Sequence, residues 1–436
     1  MNTRALPSWG RYPLAEHALA VHHDWPDQPL PTVPEGMSML ARGMGRSYGD
    51  SCLNADNALV LTRSMRRLLA FDSTTGVLAC EAGATLSEIL EFSVPLGWFV
   101  PVVPGTRTVT VGGCVANDVH GKNHHMAGSF GNFVRELRLV QSDGRRHCSP
   151  SAGADLFRAT IGGLGLTGLI DVAEIQLKPV RNRWIDSETI RFGGLDEFFA
   201  LSRESEQGFD YLVAWVDSLD DSGRGLFFRG NHNLDREASP VPESAHGLRL
   251  PFDMPEFVVN RFSVGLFNSL FYHSKFRRLH RATVDYAPFF FPLDTIAEWN
   301  RLYGSRGLVQ WQCVVPVEGG RETIQEILRA VARSGEASFL TVLKTMGSRP
   351  PVGMMSFARA GVTLALDFPR TDGALSLLQR LDGMVAAAGG RLYPAKDARM
   401  SARHFQQFYP QWREFSRFVE PNFSSSFWRR VTTWAE

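Results

Sequence analysis

Several things are scarce in this sequence, and each shortage excludes something. Cysteine occurs five times in 436 residues, as Cys52, Cys80, Cys114, Cys148 and Cys313. The number is odd, the spacing wide, and no C-x-x-C pair occurs. Neither a disulfide framework nor a structural zinc site is expected, and a reducing cytoplasm fits. No apolar run reaches the length of about 18 residues that a membrane-spanning helix needs. The N-terminal stretch MNTRALPSWGRYPLAEHALAVHHDWP holds no apolar core followed by a small-residue cleavage site, so no secretory signal is expected. A charge excess is missing too: 46 Lys and Arg against 45 Asp and Glu leave +1. No global field draws in nucleic acid, which is not an expected partner, and any basic site must be local. There is no internal repeat and no low-complexity segment.

What is present is the balance of a globular protein, 44% hydrophobic and 21% charged. The length predicts two domains of roughly 150–250 residues each. The first third reads as α+β, with strands at 58–62, 68–71 and 76–80 and a helix from Thr85 to Val94 that carries Glu88 in its first turn. Residues 101–131 are rich in loop signals, and Asp143-Gly144 predicts a hairpin turn. From 181 to 385 the pattern changes. Strands at 211–216, 309–316, 338–344 and 360–367 alternate with helices at 320–334 and 372–388, predicting a sheet with helices on one face. The tail is helical and aromatic-rich.

Between Phe257 and Val284 there is no acidic residue, while Arg261, Lys275, Arg277, Arg278 and Arg281 mix with Phe257, Phe262, Leu266, Phe267, Leu270, Phe271 and Tyr272. Two readings stay open. One is a core helix with a solvated end. The other is an interfacial segment, apolar toward acyl chains and basic toward anionic headgroups.

Glycine is concentrated in three loops. ARGMGRSYGDSC at 41–52 holds Gly43, Gly45 and Gly49; 104–132 holds Gly105, Gly112, Gly113, Gly121, Gly128 and Gly131; GGLGLTG spans 162–168. A lone cluster of this kind is usually a tight turn. Three within about 130 residues, each flanked by strands, point to one extended anionic ligand lying on backbone N–H groups, such as the dinucleotide FAD. No strand–turn–helix unit surrounds the first loop, so this is not the Rossmann fingerprint. His120, His124 and His125 have no accompanying carboxylate pattern, and no metal is expected.

Taken together, RGMGRSYGD, PGTRTVTVGG, NDVHGKNHH, GSFGN, GGLGLTG and YPAKDARMS resemble the FAD-dependent oxidoreductases of the vanillyl-alcohol-oxidase superfamily. Within it the similarity is to the polyprenylphosphoryl-ribose oxidases, over about residues 8–434. The resemblance implies an α+β, two-domain flavoprotein. An FAD-binding domain of two α+β subdomains would span 1–180, and a substrate domain on an antiparallel sheet 181–390. A C-terminal segment, 391–436, would return to the FAD domain and the active site. Arg42, Gly43, Met44, Gly45, Arg46, Ser47, Tyr48 and Gly49 match flavin-contacting positions of the family. So do Gly105, Thr110, Gly112, Gly113, Asn117, Asp118, His120, Ile170 and Tyr393. Tyr48 stands in a loop where many relatives carry a histidine bonded to the flavin, so noncovalent FAD is implied.

The implied reaction is oxidation of the 2-hydroxyl of a polyprenylphosphoryl-β-D-ribofuranose to the 2-keto sugar. This would be the first half of an epimerisation to the arabinose donor, completed by a short-chain reductase partner. The implied location is cytoplasmic, with peripheral contact to the inner membrane. The alternative is a soluble FAD-dependent oxidase or dehydrogenase of free sugars or aldonolactones. Lys396 matches the family's active-site lysine, whose charge would stabilise the developing anionic reduced flavin. His120 is open to two roles, proton acceptor or structural histidine. Lys122 and Lys344 suit phosphate recognition. Trp215, Gln312, Leu340, Val342, Met346, Thr363 and Ala365 are expected around the substrate. Thr363 and Ala365 depart from the asparagine and cysteine of mycobacterial members. No thiol therefore stands where covalent nitroaromatic inhibitors trap that cysteine.

Overall fold

A computed structural model describes residues 6–236, 248–275 and 277–433. The outer ends of the first and last expected segments (1–5 and 434–436), part of the expected substrate domain (237–247) and residue 276 of the aromatic–basic stretch lie outside the described residues. Three larger sheets organise the chain. Leu19–His22, Ala58–Leu61 and Met39–Arg42 form a parallel sheet of three strands. Leu68–Asp72, Val77–Glu81, Leu169–Gln176, Val134–Gln141 and Gly144–Cys148 form an antiparallel sheet of five, in that order. The third has eight antiparallel strands in the order Leu279–Asp285, Trp184–Phe192, Gly225–His232, Tyr211–Val216, Thr341–Met346, Gly361–Pro369, Leu308–Val315 and Arg391–Leu392. The fold is mixed α+β with a large antiparallel sheet, as expected.

Local chemistry sets the elements. Leu86–Ser93 is helical behind a capping box: Thr85 accepts from the Glu88 N–H, and Glu88 accepts from the Thr85 N–H at 2.8 Å. Gly320–Ser334 buries Ile324, Ile327, Leu328 and Val331, the i, i+3, i+4, i+7 stripe that the sequence displays. The stretch 101–131 holds more helix than its loop signals predict, in Val111–Ala116 and His124–Ala127. The first of these forms despite two glycines because Thr110 caps it, accepting from the Gly113 N–H at 3.2 Å. A Cβ on Gly112 would also stand 3.1 Å from that of Ala82, so the glycine lets this helix pack closely on the neighbouring segment. The strand expected from 338 begins at Thr341, because the Ser338 N–H is taken by the Ser218 hydroxyl at 3.1 Å.

The pleat of the eight-stranded sheet divides its residues between two faces. Trp311, Cys313, Leu343, Leu364 and Leu366 point to a buried core shared with the helices Gly320–Ser334 and Asp372–Ala387. Gln310, Gln312, Val342, Lys344, Thr363, Ala365 and Asp367 alternate with them and face the other way. After Arg391–Leu392 the chain leaves this sheet for the first third. The Met39 N–H donates to the Asn422 carbonyl at 2.7 Å, and the Ser426 N–H to the Leu53 carbonyl at 2.8 Å.

The stretch 257–284 holds one helix with a buried side and an exposed apolar side. Arg261–Tyr272 is a helix capped by Asn260 that buries Val264 and Asn268. Its other side holds Phe262, Leu266 and Leu270 at 82%, 54% and 65% exposure, spaced one turn apart. The basic charges are less available than the sequence implied. Arg278 pairs with Glu197, Arg281 pairs with Glu188 at 2.7 Å, and Arg261 donates to the Ala332 carbonyl. No described helix is long and apolar enough to cross a membrane.

Candidate active site

The first glycine loop follows the strand Met39–Arg42 and is clamped from two sides. The Trp9 N–H donates to the Ser47 carbonyl and the Tyr48 N–H to the Ala395 carbonyl, each at 2.9 Å. A Cβ on Gly49 would lie 1.7 Å from the Asp397 carbonyl oxygen, so the loop and the segment carrying Lys396 touch backbone to backbone. Arg430 fastens the same junction, its Nη2 lying 2.7 Å from Asp50 and 2.9 Å from Asp397. Gly45 has φ +60°, a conformation that glycine adopts without strain. Among the described residues, the N–H groups of Gly43, Met44, Gly45, Arg46 and Ser47 find no acceptor in the protein. The Arg46 Nε is likewise buried without a partner.

This loop forms one wall of a cavity of about 530 Å³. Gly105, Thr110, Gly112, Gly113, Asn117, Gly165 and Ile170 continue that wall. The opposite wall is the open face of the eight-stranded sheet, with Gln310, Gln312, Leu340, Val342, Lys344, Thr363 and Ala365. His120, Lys122, Tyr393 and Lys396 stand where the walls meet. Tyr393 is fixed by donating to the Asn117 carbonyl at 2.9 Å and by stacking on Phe357.

The cations at this junction are poorly solvated. Lys344 Nζ donates to the Gly121 carbonyl at 2.6 Å and lies 2.7 Å from His120 Nδ1. Burial first, then the charge of Lys122, depresses its pKa to about 7. Burial brings Lys122 down to about 8. His120 is held well below its ordinary value, by burial first and then by Lys344, His124 and Lys396. Its other ring nitrogen lies 3.0 Å from the Gln312 amide, which also reaches Thr363. Both imidazole nitrogens are thus occupied by side chains. Lys396 Nζ sits 4.0 Å above the Tyr48 ring. Burial lowers its pKa too, but Asp367 pulls it back up. Asp367 is fully buried, accepts from the Gln310 amide, and is displaced upward by burial.

Most of the residues named from the sequence line this cavity. Four do not. Gly49 is pressed against Asp397. Asp118 is buried beneath the wall, accepting from Ser129, Ser356 and the Gly131 N–H. Trp215 pairs across the sheet with Val342 and shares its face, but stands outside the cavity lining, donating to the Phe339 carbonyl at 2.8 Å and packing on Phe271. Met346 belongs to a core cluster with Phe357 and Tyr393. Arg42 lines the cavity, but its guanidinium turns to the carbonyls of Pro7 and Cys52. The sequence reading missed Gln310, Asp367 and the stretch Leu293–Trp299, which also lines the cavity. The period-two spacing from Gln312 and Ala365 could have found the first two. Residues 293–299 carry no motif.

The family model described as an FAD binding domain matches residues 34–149. Decaprenylphosphoryl-beta-D-ribose oxidase of Mycolicibacterium smegmatis is 37% identical over 416 residues, covering 91% of this chain and 89% of the relative. The chain belongs to this family of FAD-dependent oxidoreductases. A Streptomyces coelicolor relative, an uncharacterized protein in the mprA 5′ region, is 34% identical over 372 residues, 80% of this chain and 99% of its own. Cytokinin dehydrogenase 6 of Oryza sativa is more distant, 28% identical over 230 residues, half of this chain and 44% of the relative. FAD is the cofactor of the family. The cavity's donor set fits it: unpaired N–H groups in the first loop, the unpartnered Arg46 Nε, and Gly105 and Gly165, where a Cβ would project into open space.

Proposed function

We propose that this enzyme oxidises the 2-hydroxyl of a polyprenylphosphoryl-β-D-ribose to the 2-keto sugar. The observation that carries the reading is the meeting of His120, Lys122, Lys344 and Lys396 with Gln312 where the glycine loops join the sheet face. The similarity to the mycobacterial oxidase supports it. The residues 1–180 and 391–436 hold FAD, and 181–390 hold the substrate. The glycine wall, Asn117, Ile170 and Tyr393 lie against the cofactor, whose chemistry when bound is acceptance of a hydride from the alcohol carbon. Binding is noncovalent, since Tyr48 offers no histidyl link and both nitrogens of His120 are engaged.

Each protein group then has a task. Lys396 places a positive charge where negative charge develops, and Tyr48 beneath it keeps water from one side. Lys122 meets the sugar phosphate. Lys344, Gln312, Thr363 and Ala365 meet the ring, and Leu340 and Val342 begin the apolar path for the lipid. The chain is cytoplasmic and touches the inner membrane with Phe257, Phe262, Leu266 and Leu270. A short-chain reductase consumes the keto sugar.

The test is anaerobic mixing of holoenzyme with polyprenylphosphoryl-ribose while following the flavin band near ~450 nm. Rapid bleaching that is lost in Lys396→Ala is expected. A yellow protein that stays oxidised would overturn the substrate. Replacing Phe262, Leu266 and Leu270 by serine should abolish flotation with anionic vesicles and leave stability within about 0.5 kcal/mol, since all three are exposed.

A further inference from the structure

Of the three lysines that line the cavity, Lys396 and Lys344 have surroundings that differ in sign. Lys396 has a carboxylate, Asp367, acting on it, and an aromatic face below its ammonium. Lys344 has no such partner. The charge acting on it is that of Lys122, and the other titratable groups around it are His120 on the facing loop and His124 and His125 on the short helix behind. Its neighbour across the sheet, Thr363, carries no charge. Environments that push two like groups apart are how one site obtains both a permanent cation and a base.

The geometry at Nζ completes the argument. An uncharged lysine has two N–H bonds and one lone pair. Two acceptors stand within reach of Lys344: the Gly121 carbonyl at 2.6 Å and His120 Nδ1 at 2.7 Å. With both N–H bonds so used, the lone pair occupies the one remaining tetrahedral position of a side chain that lines the cavity. His120 then carries its proton on Nε2. A half-turn of the Gln312 amide presents the oxygen to that proton and to the Thr363 hydroxyl, satisfying the whole chain.

We propose that Lys344 is the catalytic base, with Gly121 and His120 as positioning groups and Lys396 as the cation that its carboxylate neighbour keeps charged to higher pH. The inference rests on the alcohol-oxidation reading above. In the step, the hydroxyl O–H bond breaks and an N–H bond forms at Lys344 Nζ. The freed oxygen pair closes the C=O bond, and the C–H pair leaves as hydride to the oxidised flavin. Lys344 returns its proton to water between turnovers. Its depressed pKa of about 7 makes the neutral form available at physiological pH.

The first test needs no substrate. Holoenzyme labelled at the lysine Cε carbon is titrated by NMR from about pH 6 to about pH 10, with Lys344→Arg and Lys396→Arg assigning the two signals. Lys344 is expected to titrate near 7 and below Lys396. Titration of Lys344 above Lys396 would overturn the proposal. The second test follows anaerobic flavin reduction against pH. The wild-type limiting rate should rise through the Lys344 pKa. Lys344→Arg, which stays protonated, should lose on the order of 100-fold of that rate together with its pH rise, while keeping the flavin spectrum. Lys344→Ala should be partly rescued by methylamine, in proportion to the neutral amine. A Lys344→Arg enzyme with an unchanged limiting rate and a raised half-saturation would make Lys344 a phosphate holder and end the proposal. Failure of polyprenylphosphoryl-ribose to bleach the wild type would strike the substrate reading alone, because the NMR titration stands without it.

Discussion

The two walls of the cavity are built in opposite ways. One is backbone: three glycine loops whose side chains are absent so that N–H groups can approach a ligand. The other is side chain: alternate residues of a rigid antiparallel sheet, each pointing a different group into the same space. The first wall can be lost by adding one carbon atom. The second can be altered group by group without moving the frame. The difference explains why the loops are dense in motif and the sheet is not. A backbone wall constrains nearly every residue along it, whereas a sheet wall constrains every second one.

That contrast can be broken or sharpened. The largest effect is expected at the junction of the loop with the Lys396 segment. Gly49→Ala places a methyl carbon 1.7 Å from the Asp397 carbonyl, where only backbone could yield. A loss of about 3 kcal/mol or more is expected, and the flavin content of the purified protein should fall with it. A Gly49→Ala protein that stays fully yellow with an unchanged melting temperature would show that the junction is looser than this. Lys396→Met should act on the chemistry instead, lowering the rate of flavin reduction on the order of 10²–10³-fold while the 450 nm band of about normal height persists. Parallel loss of flavin would place Lys396 on the backbone wall rather than between the two.

Arg430→Gln comes next. It removes the guanidinium bridging Asp50 and Asp397. Its side chain is 28% exposed, so the cost is set below that of a fully buried pair, at about 2 kcal/mol, read from denaturant melts. Since Asp50 follows the glycine loop and Asp397 follows Lys396, weaker FAD binding and slower reduction should appear together. The smallest effect is expected on the sheet wall. Ala365→Cys fits a position that faces the cavity and should change stability by less than about 1 kcal/mol. It should gain a covalent adduct with nitroaromatic inhibitors that the natural chain does not form at 365, as mass spectrometry would show.

Much of this was legible in the order of residues alone. Glycine spacing located the backbone wall, and the helix expected at 320–334 is Gly320–Ser334. Legibility failed where contacts are distant in sequence. Residues 293–299 enter the cavity from a connection without a motif. Trp215 and Met346 were expected in the pocket and stand on its face of the sheet, yet packing engages one with Phe271 and the other with Phe357. The pairing of the exposed Arg278 and Arg281 with Glu197 and Glu188, 81 and 93 residues earlier in the chain, was likewise not visible in the sequence.

The family, the cofactor and most of the residues that line the cavity were written in the sequence alone, because local backbone freedom and motif spacing are properties of consecutive residues. Only the tertiary structure decided what state those groups are in. His120 has no free nitrogen and Lys344 has no counter-charge because burial and the nearest charges are set where segments 192 to 224 residues apart meet, whereas Lys396 draws its counter-charge from Asp367 on the strand Gly361–Pro369. Two lysines that read alike in the sequence are made unlike by the company the fold gives them.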